Sequence, residues 1–373
     1  MATKAPRVAI VHDWFVGGGA EKVVAAISQL YPDAPIYTSY CSDEWRQKLA
    51  PAKVVTGYLQ HWPFSALRKF LPVLRQHWFS HLDLSEYDLV ISSSGNGEAK
   101  GIQVPEGTTH VCYCHSPTHF YWRNYDRYLT EPGFGIFNPI VRFSLKLLVG
   151  PLRRWDLKAS KGPDYYIANS SHIQADIKTY YGRDSVVINP PVDVEHFSSN
   201  DQHERGGFVV VGRQQPYKRI DIAVAACTKL NLPLMVVGRG PEHAKLVKLA
   251  GPSVHFDDNA DAQAVASYLQ HAEAFLFPAL EDFGITPVEA MAAGTPVIAY
   301  KAGGALDYVK PGVSGEFFEE QTVESLCANL QKFSASNYTP AVLHEHAQRF
   351  STKNFQQMFL RTVSNLRAGR HAK

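Results

Sequence analysis

Phe208-Val209-Val210-Val211-Gly212-Arg213-Gln214-Gln215-Pro216-Tyr217-Lys218-Arg219 carries the reading of the fold. A short run of β-formers ends in glycine, a basic turn follows, and a helical pattern begins. The same order returns at Leu234-Met235-Val236-Val237-Gly238-Arg239. Nothing else in the two stretches aligns, so this is a shared strand-end chemistry and not a repeat.

Working outward, further strands are expected near Val254, at Ala274–Phe277 and at Pro296–Ala299. Upstream, Arg7–His12, Leu89-Val90-Ile91, His110-Val111-Cys112, Tyr165-Tyr166-Ile167 and Val186-Val187-Ile188 read the same way. Gly17-Gly18-Gly19 follows the first of these, and a helix is expected from Ala20 to Ile27; Thr352 to Arg370 also reads as helix. Short apolar runs alternating with helical patterns indicate an α/β protein with parallel sheets covered by helices. The polar stretch from Ser198 to Gly207 is the best linker. We therefore expect two Rossmann-like domains, 1–197 and 207–350, with the helix 352–370 packing back on the first. Doubly wound sheets bind ligands at the carboxyl ends of their strands, which here would face a central cleft.

Composition narrows the class. The 373 residues include 45% hydrophobic and 19% charged side chains, ordinary for a globular protein with room for two cores. A net charge of +2 speaks against a dedicated nucleic-acid binder. The opening apolar run is too short for a signal peptide, and no later run reaches the ~18 apolar residues of a spanning helix. Five cysteines without a Cys-x-x-Cys pair fit reduced, mostly buried thiols in a cytoplasmic protein.

The chemistry is densest at Glu281-Asp282-Phe283-Gly284-Ile285-Thr286-Pro287-Val288-Glu289, which follows the apolar strand Ala274–Phe277. Thr286 and Pro287 read as the N-cap and first position of a helix. Free N–H groups there, with Gly284 allowing close approach, would make an anion site. Glu281 and Glu289 can accept hydrogen bonds from vicinal sugar hydroxyls. Thr286-x-x-Glu289 is equally a capping box, and Glu281 equally a solvated loop acid. In the basic turn, Arg213, Lys218 and Arg219 stand at a helix start, where the macrodipole disfavours cations. An external diphosphate would complete that site; a solvated basic turn is the plainer alternative.

Gly17-Gly18-Gly19-Ala20-Glu21-Lys22 lacks Gly-x-Gly-x-x-Gly spacing and is no P-loop, so a nicotinamide site is not expected. Its backbone N–H groups could still face phosphate. His115, at a strand end in Tyr113-Cys114-His115-Ser116-Pro117, can hydrogen-bond a sugar or shuttle a proton, although a lone histidine is more often structural. There is no Asp-x-Asp and no zinc-type His/Cys spacing, so no metal and no cofactor is expected. Charge on a leaving diphosphate would fall to Arg213, Lys218 and backbone dipoles.

Taken together, these motifs resemble glycosyltransferase family four, of the GT-B architecture, over nearly the full length. The resemblance rests on Glu281 and Glu289 with seven residues between and Phe-Gly inside, and on Gly212-Arg213 with Lys218 five residues after Arg213. The glycine loop and the His115 strand end add to it. It implies a retaining, metal-independent transferase whose nucleotide-sugar donor is a substrate and not a cofactor. Arg213 and Lys218 would bind the donor diphosphate, with Gly18 and Gly19 approaching it from the other domain. The catalytic candidates would be Glu281, contacting the transferred sugar near its reacting face, and His115, beside the donor sugar; Glu289 would contact the ribose, and the N–H groups of Gly284, Ile285 and Thr286 sugar and phosphate. His255 and Phe256 would hold the base. Where relatives often have glycine after that strand, this chain has Asp257-Asp258, which leaves the base open. A front-face mechanism would let the leaving phosphate accept the acceptor's proton. Cys114-His115-Ser116-Pro117 with Tyr121-Trp122 resembles bacterial mannosyltransferases of surface-polysaccharide assembly, which leans the donor towards GDP-mannose. Alternatives are a UDP-sugar transferase of the same family and a non-catalytic GT-B protein that binds sugar nucleotides. Retention of Arg213, Lys218, Glu281 and Glu289 favours an enzyme.

Two stretches mix cations with large apolar groups. Phe64 to Phe79 holds Arg68, Lys69 and Arg75 among Phe70, Leu71, Leu74 and Trp78; Ile136 to Lys158 holds Arg142, Lys146, Arg153, Arg154 and Lys158 among Phe143, Leu147, Leu148 and Trp155. Such segments lie on anionic membrane surfaces or pack as amphipathic helices with snorkelling cations. A lipid-linked or oligosaccharide acceptor, met at the inner face of the plasma membrane, would make use of the first arrangement.

Overall fold

The computed structural model describes residues 6–68, 71–130, 135–198 and 205–371. Most of the expected linker, residues 199–204, lies outside the described residues, as do Lys69 and Phe70 and the side chain of Ile136. The chain divides into two compact units, Met1–Pro190 with Gln356–Lys373, and Pro191–Phe355. The division therefore falls at the Pro190-Pro191 pair, ahead of the polar stretch. Val192 is fully buried in the second unit's core, and its N–H donates to Phe350 O at 2.8 Å, so the chain is already committed there.

The first unit holds a parallel sheet of seven strands: β1 Val8–His12, β2 Ile36–Thr38, β3 Val54–Val55, β4 Leu89–Ser94, β5 Thr109–Cys114, β6 Tyr165–Ala168 and β7 Ser185–Val187. Their order is β3-β2-β1-β4-β5-β6-β7, so the winding reverses between β1 and β4. Every residue of β1, β4 and β5 is buried, because helices cover both faces of a parallel sheet. The helix Thr352–His371 enters this unit from Gln356 on, and Gln356 Nε2 donates to Ala26 O at 3.0 Å on the helix Gly19–Leu30.

The second unit holds six parallel strands: β8 Phe208–Val211, β9 Leu234–Val237, β10 Val254–Asp257, β11 Ala274–Phe277, β12 Val297–Tyr300 and β13 Gly315–Phe318. The order β10-β9-β8-β11-β12-β13 reverses between β8 and β11. Alternate residues feed two cores, Val209, Val237, Phe275 and Phe277 on one face and Phe208, Val210, Val236 and Leu276 on the other. All five cysteines are buried and free, and Cys112 and Cys114 share one face of β5. Among the described residues, no helix is long and apolar enough to cross a membrane.

Candidate active site

In the second unit the expected residues converge where the winding reverses. Beyond β8, Gly212 and the following turn abut the matching turn beyond β9. A Cβ on Gly238 would lie 2.6 Å from Gly212 O, which explains the glycine at the end of β9, while Gly212 stands at φ +154°. Gln214, fully buried, clamps the two turns: its Nε2 donates to Gly238 O, and its Oε1 accepts from His243 Nδ1 at 2.9 Å. Arg213 is exposed and, among the described residues, paired with no carboxylate. A 3-10 turn, Pro216–Lys218, presents Lys218, whose Nζ forms an ion pair with Glu281 Oε1 beyond β11; both side chains are 18% exposed.

The third cation of the turn is spent internally. Arg219 stands at φ +50°, turning the chain into the helix Ile220–Leu230, and its guanidinium makes a two-pronged pair with Asp221 at 3.1 and 3.2 Å. Of the three cations expected to meet an anion together, Arg219 is thus paired by the first turn of the helix itself. Lys218 likewise has Glu281, which leaves Arg213 as the cation of the turn open to a ligand.

Gly284 adopts φ +86°, and a Cβ there would press on Phe277 Cζ at 2.8 Å and Tyr308 Oη at 3.0 Å. Only glycine turns this loop so tightly against its wall. Gly304 N–H donates to Glu281 O at 2.9 Å, fixing the loop from behind. The helix that follows runs Thr286–Ala292, with Ile285 as N-cap and no side-chain cap. It starts one residue earlier than expected, so Thr286 is its first residue and the capping box is not formed through that hydroxyl. Among the described residues nothing accepts a hydrogen bond from the N–H groups of Gly284, Ile285 and Thr286. Glu289 is buried in the first turn, a favourable place for a carboxylate.

The two base candidates part company. Phe256 packs its ring edge-on against His243 at 5.5 Å, beside the Gln214 clamp. His255 points to the opposite face of β10 and is exposed in a shallow depression with Gly206, Pro233, Tyr268 and His271, at the amino ends of β8 and β9. The alternation of a strand makes this unavoidable for neighbours. The structure thus does not bring His255 to the carboxyl ends. It brings Asp258 instead, whose Oδ1 is 3.3 Å from His243 Nδ1. Because Gln214 Nε2 already donates to Gly238 O, its Oε1 is the acceptor, and His243 Nδ1 gives its hydrogen there. Asp258 Oδ1 is buried and, among the described residues, left without a hydrogen-bond donor.

In the first unit, His115 follows β5 and its Nε2 lies 2.8 Å from Ser93 Oγ, which also sits 3.1 Å from His12 Nδ1. Burial, with His12 beside it, lowers the His115 pKa to about 3. Near neutrality it is an uncharged imidazole that can exchange hydrogen bonds, and it is a weak proton acceptor. Gly18 and Gly19 begin the helix Gly19–Leu30, and among the described residues nothing accepts from their N–H groups. The carboxylate of Glu21 takes the N–H groups of Val16 and Gly17 at 3.2 and 2.9 Å.

Three polar residues of this unit escaped the sequence reading. Buried Asp13 accepts from the N–H groups of Gly95, Asn96 and Ala99 at 2.8, 2.8 and 2.7 Å, shaping the loop after β4. Asp156 is fully buried and accepts from Lys100 Nζ, Thr118 Oγ1, Trp122 Nε1 and Tyr181 Oη at 2.5–2.8 Å. Glu98 pairs with Arg75 at 2.7 Å inside the same unit. Aspartate directly after the β1 run was the one visible signal; the other partners lie too far apart in sequence to suggest themselves.

Residues 17–196 match the family described as Glycosyltransferase Family 4, and residues 191–356 match Glycosyl transferases group 1. The chain belongs to this glycosyltransferase family, and its two parallel-sheet units are those of the GT-B fold. A D-inositol 3-phosphate glycosyltransferase of Mycobacterium marinum is 29% identical over 219 residues, 50% of this chain and 47% of the relative. One from Catenulispora acidiphila is 30% identical over 186 residues, covering 41% and 43%. The chain thus spans about half the length of the curated relatives it matches. Among solved structures, Anabaena Alr3699/HepE in complex with UDP superposes with a TM-score of 0.69 at 19% identity, covering 96% of this chain and 100% of that one. Sucrose-phosphate synthase from Thermosynechococcus elongatus gives 0.68 at 16% identity, covering 97% and 100%.

Proposed function

We propose that the protein is a retaining glycosyltransferase that moves a hexose from a nucleotide-diphosphate sugar to a lipid-linked or saccharide acceptor in bacterial surface-glycan synthesis. The observation that carries this reading is the strand-reversal point of the second sheet. There, among the described residues, Arg213 pairs with no carboxylate, Lys218 and Glu281 meet, and three N–H groups stand without acceptors. In this reading the donor diphosphate takes Lys218 and Arg213, and the N–H groups of Gly284, Ile285 and Thr286 meet developing negative charge without a metal. Glu281, released from Lys218, accepts from sugar hydroxyls, and Glu289 from the ribose. Neutral His115 hydrogen-bonds a sugar hydroxyl. The leaving phosphate accepts the acceptor's proton, so no protein base is required.

The donor base is the finer question. Guanine offers adjacent N1–H and N2–H donors, which one carboxylate can accept together, whereas uracil offers a single N–H between two carbonyls that a carboxylate repels. The unsatisfied Oδ1 of Asp258 therefore supports a GDP-sugar, with mannose as the sugar we favour. The second reading, a UDP-sugar, is supported by the UDP of the Anabaena structure. A thermal-shift panel of GDP-, UDP- and ADP-sugars without metal separates the two, since a ligand bound to the folded state raises the melting temperature. GDP-sugars should stabilise the wild type, and Asp258→Asn should weaken that affinity about tenfold, within the usual worth of a charge-assisted hydrogen bond. Stabilisation by UDP-sugars alone would decide for the second reading; stabilisation by none would refute both. A cytoplasmic enzyme working at the inner face of the plasma membrane completes the proposal.

A further inference from the structure

The helix Asn138–Ala159 is apolar on two sides. Val141, Leu145, Val149 and Leu152 form the side turned towards the unit, half-buried or buried. On the other side Ile140, Phe143 and Leu147 are 64, 70 and 64% exposed, with Leu148 and Phe137 exposed beside them. Their i, i+3, i+7 spacing makes one stripe along the helix. A helix apolar all round ordinarily has both sides covered. A contiguous uncovered apolar patch marks a surface that meets something.

Charge says what it meets. Residues 135–155 contain no Asp or Glu but include Arg142, Lys146, Arg153 and Arg154. Arg142, Lys146 and Arg154 are exposed, and none is paired with a carboxylate among the described residues. A second stretch, residues 45–82, also lacks Asp and Glu and carries exposed Leu67, Val73 and Trp62, the last 83% exposed. Both stretches pack on one turn, Ala99–Gly101. Trp155 lies against Gly101, and Arg75 pairs with the adjoining Glu98. The far end of the apolar helix and the second stretch thus meet at this turn, both within the first unit. A second copy docking through the same face would bring cations against cations. An anionic lipid surface satisfies both features, with headgroups for the cations and the acyl boundary for the stripe. The four cations and the helix's hydropathy forbid crossing, so the helix lies in the plane of the interface.

We infer that the Ile140–Leu148 face of this helix docks the protein on an anionic bilayer. This deepens the transferase reading by naming the surface on which a lipid-linked acceptor is met, yet docking needs neither donor nor acceptor. At its other end the same helix is locked by Asp156 to Lys100, Thr118 and Trp122. The docking helix therefore runs on, past Gly150-Pro151, into the Asp156 network that holds Thr118 and Trp122 of the loop after β5, which begins at His115.

Cosedimentation of the full chain with vesicles tests this, using phosphatidylcholine alone against equal parts of phosphatidylcholine and phosphatidylglycerol. The protein should partition onto the anionic vesicles and release them at high salt. Lys146→Gln should weaken partitioning about fivefold, and Phe143→Ser with Leu147→Ser at least about tenfold. Because these side chains are exposed, the melting temperature should not move. No binding to anionic vesicles, or a double variant that binds like the wild type, would overturn the inference. A double variant that melts lower, or that changes the molecular mass in light scattering, would overturn it too, by assigning the face to an internal or self contact. Loss of donor stabilisation in the thermal-shift panel, with vesicle binding intact, would sink the transferase reading alone.

Discussion

Both sheets reverse their winding beside their first strand, yet the two reversal points are furnished in opposite ways. In the first unit, Asp13 takes three backbone N–H groups of the loop after β4 and Glu21 takes two from the loop after β1. Internal carboxylates thus occupy much of what an anion would otherwise meet. In the second unit, among the described residues, nothing accepts from Gly284, Ile285 and Thr286 in the loop after β11, and no carboxylate pairs with Arg213 in the turn after β8. One fold therefore yields a crevice that is largely satisfied from within, where Gly18 and Gly19 alone keep N–H groups without an acceptor among those named, and one that is more open. The difference teaches that the location of a donor site in a doubly wound sheet is decided by which backbone donors the protein has not already used.

The comparison can be broken at either crevice. The largest effect is expected at Asp13→Ala, which strands three N–H groups of a buried loop. At about 1.5 kcal/mol or more for each hydrogen bond to a charged acceptor, unfolding in urea should show a loss of at least about 4 kcal/mol. A loss near zero would mean that the loop holds itself. Next comes Lys218→Ala. In the proposed reaction it should lower kcat/KM about a hundredfold and abolish donor-induced stabilisation. Unimpaired donor binding would remove the second crevice from the chemistry.

A smaller effect concerns pH. Burial holds His110 and His115 with pKa values lowered to about 3. The unfolded chain binds those protons near pH 6.5, so the stability they contribute is full above that value and drains away as pH falls towards 3. Between pH 7 and 5, His115→Gln should therefore remove about 2 kcal/mol of acid sensitivity relative to the wild type, read as the difference of two urea series. Parallel slopes would mean that His115 is solvated and free to titrate.

Much of this was legible in the chain. The runs at Phe208–Val211, Leu234–Val237 and Ala274–Phe277 form strands with the bounds that their apolar residues suggest. Burial on both faces leaves no polar residue to blur them. Ile36–Thr38, Val54–Val55 and Gly315–Phe318 were missed because short outer strands need few apolar residues, and because pairing with a neighbour, not local preference, makes them strands. At the site, Arg213, Lys218, Gly284 and Glu281 could be picked out by type and spacing, since glycine and charge after an apolar run have few other uses.

What the sequence determined by itself is the α/β class, the winding of strands and helices, and the residue types standing at the strand ends, all of which follow from local periodicity. What only the tertiary structure decided is which of those residues are already satisfied. Arg219 has its partner two residues away, but Lys218 finds Glu281 sixty-three residues on, and Asp13 reaches its donors across more than eighty. The face that His255 and Phe256 take, and the appearance of Asp258 beside His243, depend on where β10 sits beside β9. Hydrogen bonds and ion pairs saturate at a few ångströms, so the groups left over for a ligand are known only once the chain has brought every competing partner into place.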